Sequence, residues 1–266
     1  MLCLFLAALA AACLTLPAHA AGKSDGPAQD IVAAGQLRLQ SQRLAKLYLQ
    51  AGLGIQSDMA RTQIGRAGAQ FDEALGSLGR YSRQANTARP LERIQSLWTD
   101  YRAALGAPYS PAALQRVNGL SDALMLAAGK LTLLIEEESS TGVGRLLDLS
   151  LRQNMLAQRL ARLYLLAQAG DHTQGRLVDI EQARREFTTA LAELANAKEN
   201  TGSIRDALEL ARMQWIFFDQ ALSAKTQGNS SDAAAHARNV ATTSERILEV
   251  LEGVSRQYAR SYGNLG

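Results

Sequence analysis

Ala34-Gly-Gln-Leu-Arg-Leu-Gln-Ser-Gln-Arg-Leu-Ala-Lys-Leu-Tyr-Leu49 returns as Ser150-Leu-Arg-Gln-Asn-Met-Leu-Ala-Gln-Arg-Leu-Ala-Arg-Leu-Tyr-Leu165. The shared core, Gln-Arg-Leu-Ala-(Lys/Arg)-Leu-Tyr-Leu, recurs at an offset of 116 residues (159 − 43). Farther along, Phe71, Ala74, Leu75 and Leu78 recur as Phe187, Ala190, Leu191 and Leu194 at the same offset. One offset shared by two separate segments points to duplication of a whole structural unit rather than to a chance local match.

Around these segments the chain is rich in Ala, Leu, Gln, Arg and Glu, with few Pro and few aromatics. No alternating run of β-branched residues supports a strand, so the fold class reads as all-α. Breakers divide each half into four helices. They fall near 28–54, 57–86, 90–106 and 111–138, then 143–169, 172–199, 203–227 and 231–262. Pro90 suits a helix start, and Gly106-Ala-Pro-Tyr-Ser-Pro111 separates the third helix from the fourth. Asn200-Thr-Gly-Ser203 and Gln227-Gly-Asn-Ser230 mark breaks in the second half. Trp98 and Trp215, one residue out of register with the main offset, read as core residues of the third helix in each half. The expected architecture is two tandem antiparallel four-helix bundles, 28–139 and 143–262, related by an internal pseudo-two-fold axis. Ser139-Ser-Thr-Gly142 joins them, and a turn there lays the second bundle beside the first, whereas a continuous helix makes a rod.

Residues 1–20 read as a secretory signal: Leu2 to Leu16 is apolar, and Ala18-His-Ala20 offers small residues for cleavage. That run is short for a membrane span, which needs about 20 residues. Both cysteines, Cys3 and Cys13, lie inside the signal, so about 245 remaining residues hold no thiol for a disulfide, a metal or a nucleophile. The remaining imidazoles, His172 and His236, lack metal-ligand spacing, and no Gly-rich phosphate loop occurs. An enzyme is therefore disfavoured, with no cofactor and no metal expected. A formal charge of +3, with basic and acidic residues mixed, does not point to nucleic acid. The expected setting is periplasmic.

On a helical wheel Leu37, Leu44, Ala45, Leu47 and Tyr48 form a broad apolar stripe, while Leu39 and Leu49 fall on the other side. Such a helix is more apolar than its own bundle requires, and the other repeat is the obvious second partner. Arg43 lies between Leu39 and Leu47, and Arg159 between Met155 and Leu163. No carboxylate occurs between Asp30 and Asp58, where Arg38, Arg43 and Lys46 stand, or between Asp148 and Asp171, where Arg152, Arg159 and Arg162 stand. No i,i+4 neighbour on these helices neutralises them. Two guanidinium groups meeting across paired helices would suit a planar oxyanion, with Gln42, Gln158 and Arg38 orienting it. Carboxylates from other helices are the alternative counter-ions.

Ala34-Gly-Gln-Leu-Arg-Leu-Gln-Ser-Gln-Arg-Leu44 resembles the first-helix motif of NarX-type nitrate/nitrite sensors and of the PilJ-type N-terminal domain of type IV pilus chemotaxis transducers. The resemblance implies a periplasmic four-helix bundle in which nitrate sits at a two-fold interface, held by an Arg from each of two such helices. The matching Arg is Arg43, and Arg159 in the repeat. Arg38 matches the motif's other Arg, but its counterpart is Asn154, while Leu151 and Ala157 stand where the first copy has Gly35 and Ser41. The leading expectation is an exported sensory protein whose Arg43 and Arg159 clamp nitrate or nitrite between the repeats. A membrane-bound sensor or transducer would read the change. The alternative is a helical accessory protein of a pilus, envelope or signalling complex with no small ligand.

Overall fold

The computed structural model describes residues 26–139, 142–223 and 230–263. The expected signal (1–20), residues 140 and 141 of the linker between the halves and residues 227–229 of the Gln227–Ser230 break lie outside the described residues. Among the described residues there are eight α-helices and no strand. They are α1 (Pro27–Gly52), α2 (Ser57–Ser77), α3 (Ala88–Leu105), α4 (Pro111–Ser139), α5 (Gly142–Gln168), α6 (Gln174–Ala195), α7 (Gly202–Ser223) and α8 (Ser230–Gly263). No helix among them is long and apolar enough to cross a membrane.

The sequence reading places seven of the eight within a few residues. The exception is the second segment, where α2 stops at Ser77 and a short 3₁₀ turn, Gly79–Arg83, follows. Gly76 and Gly79 weaken the helix there. Tyr81 turns inward so that its hydroxyl donates to Asp30 Oδ2 at 2.8 Å, with Arg80 paired to the same carboxylate.

α1 packs against α2 and α4, and α3 against α4; α5 packs against α6 and α8, and α7 against α8. In each half Phe and Trp stack in the core: Phe71 on Trp98 at 4.0 Å and 19°, Phe187 on Trp215 at 4.2 Å and 25°. Tyr101 and Phe218 meet those tryptophans edge-on, each at 6.1 Å. The central helices also end alike, with Gly54 (φ 75°) and Gly170 (φ 101°) taking the left-handed conformation that glycine adopts without a Cβ penalty.

α1 and α5 pack along each other, so the halves lie side by side rather than as a rod. This explains the apolar excess on the repeated helix. In α1 almost every residue from Ile31 to Gln50 is buried, because one face enters its own bundle and the other meets α5. The pair is parallel. At Gly35 an added Cβ would lie 2.9 Å from Leu151 Cβ, so these equivalent positions face each other. An antiparallel pair crossing there would hold residues 42 and 162 about 27 Å apart at 1.5 Å per residue. Instead Gln42 bonds Ser121 and Arg162 bonds the adjacent Asp122.

Candidate functional site

The seam between α1 and α5 is apolar except for a set of buried polar side chains. Gln42 donates to Ser121 O (3.2 Å) and Ser121 Oγ (3.0 Å) on α4 of its own half. Gln158 donates to Ser244 O (2.8 Å) on α8 of its own half. Both amides are fully buried. The cations four residues on cross over. Lys46 Nζ reaches Glu245 and donates to Ser244 Oγ (3.1 Å) in the second half. Arg162 donates to Asp122 Oδ1 (2.6 Å) and Asn118 Oδ1 (3.2 Å) in the first. Each half thus supplies one cation and one Ser-(Asp/Glu) pair, and each cation is held by the other half's carboxylate.

Lys46 is 0% exposed and Arg162 is 1% exposed. A buried cation survives only with a close carboxylate and satisfied N–H groups. Burial pushes the Lys46 ammonium below its ordinary value, against the pull of Glu245. Burial alone would raise the Glu245 carboxyl, but Lys46 and Arg43 outweigh it and hold it down at about 2.

The candidate clamp residues are placed differently from the expectation. Arg43 grips Glu245 through two bonds, Nη2 to Oε2 at 2.6 Å and Nε to Oε1 at 3.3 Å. Arg159 turns to α6, where Asp179 stands 3.7 Å away. Arg38 pairs with Asp148 of α5. Gln42 and Gln158 are tied through Nε2 to backbone and serine oxygens, while the Oε1 of each finds no donor among the described residues. The absence of a neutralising carboxylate holds only along the helices themselves: other helices supply one to each of Arg38, Arg43, Lys46, Arg152, Arg159 and Arg162. The repeated tyrosines also differ. Tyr48 donates to Ala107 O (3.2 Å), while Tyr164 packs against His236 (5.5 Å) and its hydroxyl finds no partner among the described residues.

Sequence reasoning passed over Lys46 and Arg162 as the central cations, and Ser121-Asp122 and Ser244-Glu245 as their partners. A signal existed: the two dipeptides are one more repeat. They sit at an offset of 123 (244 − 121) rather than 116, so a search at the fixed offset misses them.

Residues 20–121 match the family model of the type IV pili methyl-accepting chemotaxis transducer N-term, PilJ. The PilJ match therefore runs through α1, α2 and α3 and into α4 as far as Ser121, the serine that Gln42 bonds. The second repeat lies outside it. No curated protein and no solved structure was found similar to the chain. The PilJ domain is a signalling domain, not a catalytic one. Among the described residues no group of three His, Cys, Asp or Glu is placed to hold a metal ion.

Proposed function

We propose that the chain is an exported, non-enzymatic sensory module in which two fused PilJ-like bundles, 28–139 and 143–262, stand in for the two subunits of a receptor dimer. The observation that carries this reading is the crossed exchange at the seam, Lys46 to Ser244–Glu245 and Arg162 to Asn118–Asp122. It ties α1 to the second bundle and α5 to the first. A ligand or partner that shifts one bundle must therefore move the crossing of α1 and α5. A membrane-bound sensor or transducer is the expected reader of that movement.

On this reading the anion of the seam is built in. Glu245 on Arg43, Asp179 beside Arg159 and Asp148 on Arg38 hold the places that nitrate or nitrite would take. A small oxyanion must displace a tethered carboxylate, whose effective concentration far exceeds that of a free ligand. Isothermal titration of the mature protein with nitrate and nitrite is expected to give no binding tighter than about 1 mM. Glu245→Gln, which empties one carboxylate from Arg43, is expected to gain nitrate affinity. Micromolar binding to the native protein, lost in Arg43→Ala, would overturn this and restore the Arg43–Arg159 clamp.

One observation favours the second reading, a helical interaction protein with no small ligand. α7 exposes Leu210, Met213, Ile216 and Phe217, whereas α3 has Arg93, Ser96, Thr99 and Asp100 at the corresponding positions (offset 117, 210 − 93). The bundle fold does not need that apolar face. Phe217→Asp, which installs the residue α3 carries, is expected to leave the melting temperature unchanged. A tight envelope partner that is lost in that variant and is indifferent to nitrate would favour the second reading.

A further inference from the structure

A groove of about 470 Å³ runs between α2 and α8, beside the α1–α5 seam. Its walls carry Arg66 from α2 and Arg246, Glu249 and Glu252 from α8; Gln50 of α1 also lines it, as do Arg43 and Glu245, which are paired with each other. Arg66, Arg246 and Glu249 make no ion pair among the described residues, and Glu252 has only Arg256 at 3.9 Å. Burial pushes the Glu252 carboxyl above its ordinary value, against the pull of Arg43 and then of Arg256. Gln50 is 3% exposed; its Nε2 donates weakly to Ile55 O at 3.4 Å, and its Oε1 has no donor among the described residues. An orphaned buried amide oxygen costs about 1–3 kcal/mol.

The second repeat serves as an internal control. At the positions equivalent to Gln50 and Arg66 (offset 116) it has Leu166 and Gln182. At those equivalent to Arg246, Glu249 and Glu252 (offset 123) the first half has Ala123, Leu126 and Gly129. The same fold therefore stands without any of these five side chains. Leu166 shows that the fold accepts an aliphatic residue where Gln50 leaves its oxygen unsatisfied.

Two guanidinium groups and two carboxylates along one groove, three of them exposed and outside any ion pair among the described residues, suit a ligand that carries both charges. We propose that the groove between α2 and α8 binds a small zwitterion of the α-amino acid class. Its carboxylate meets Arg66 and Arg246, its ammonium meets Glu249 and Glu252, and the amide of Gln50 lies beneath. A bound zwitterion would bridge α2 of the first bundle to α8 of the second. That gives the sensory reading an input, although binding itself does not depend on that reading.

The test is thermal shift and isothermal titration of the mature protein with the standard free L-amino acids, with acetate and ethylamine as single-charge controls. At least one amino acid is expected to bind at concentrations below about 10 mM, and neither control to do so. Arg246→Ala and Glu249→Gln, both on exposed positions, should each weaken it roughly tenfold or more, as loss of one charge-assisted contact does. Gln50→Leu should weaken binding while raising the melting temperature, a result that misfolding cannot mimic. Absence of any amino-acid binding, equal binding of ethylamine or acetate, or affinity that survives the Arg246→Ala/Glu249→Gln pair would overturn the proposal. Binding without any change in α1–α5 distance would sink the sensory reading and leave the site intact.

Discussion

Glu245→Gln is expected to destabilise the protein by about 3 kcal/mol at neutral pH, as removal of one partner from a buried ion pair does. Glu245 accepts from both Arg43 and Lys46. Arg43 keeps a partly exposed side chain and turns to water, but Lys46 is 0% exposed and has no such route. Its remaining partner, Ser244 Oγ, carries no charge to balance the ammonium. Lys46 must then lose its proton or pull water into the seam. The double variant Lys46→Met/Glu245→Gln removes both charges and is expected to recover most of the loss, because an aliphatic chain suits the apolar seam. Urea unfolding at constant m-value checks both results. A loss under about 1 kcal/mol for the single variant would show that the pair contributes little.

The same pair makes the seam sensitive to acid. Glu245 is held at about 2 in the folded chain against an ordinary 4.5. A depressed carboxyl contributes stability that is complete above the unfolded value and is lost as pH falls from about 4.5 to about 2. Lys46 acts in the same direction at the other end of the scale. Its folded value lies below 10.5, so the unfolded chain binds that proton more tightly and stability rises as pH climbs towards 10.5. Glu136 opposes them: burial, then Asp148, raise it to about 7, so its contribution falls as pH rises from about 4.5 to about 7. Asp171, held below its ordinary value by its hydrogen bond from Arg176, adds to the loss in acid, but Glu245 is the more buried of the two, so Glu245→Gln should make the loss below pH 4.5 shallower without abolishing it.

The fold was legible because helix duplication leaves an apolar period and an offset that both survive in one sequence. The excess of Leu39 and Leu49 over the needs of one bundle correctly called for a second partner, which is α5. The site was less legible because charge compensation here is tertiary. Asp122 and Glu245 lie far along the chain from Arg162 and Lys46, and no helical spacing connects them. Arg43 and Arg159 drew attention through identity across the repeat. Lys46 and Arg162 differ in residue type, although they keep their charge, and they are the more deeply buried pair. The break in α2 was invisible for a similar reason. It depends on Asp30, which accepts from Tyr81 across the bundle.

Leu151→Gly is expected to cost about 4 kcal/mol, through the cavity left by a buried Leu and the added freedom of a mid-helix glycine. Gly35→Leu should cost about 2 kcal/mol, since overpacking outweighs the better helix former. The clash is with a stiff part of the neighbour: a Cβ at residue 35 would lie 2.9 Å from both Leu151 Cβ and Cδ1. One cannot be relieved by a rotamer change. The two positions are equivalent in the repeat (151 − 35 = 116) and face each other across the parallel α1–α5 pair. Exchanging them therefore moves the same knob to the opposite wall of the same hole. The swap Gly35→Leu/Leu151→Gly is expected to lie within about 1 kcal/mol of the native protein, a coupling of several kcal/mol in the double-mutant cycle. Losses that simply add would mean that the two sides of the seam are not interchangeable. The halves would then be joined by a contact specific to each, and the comparison of α1–α5 with a symmetric dimer interface would fail.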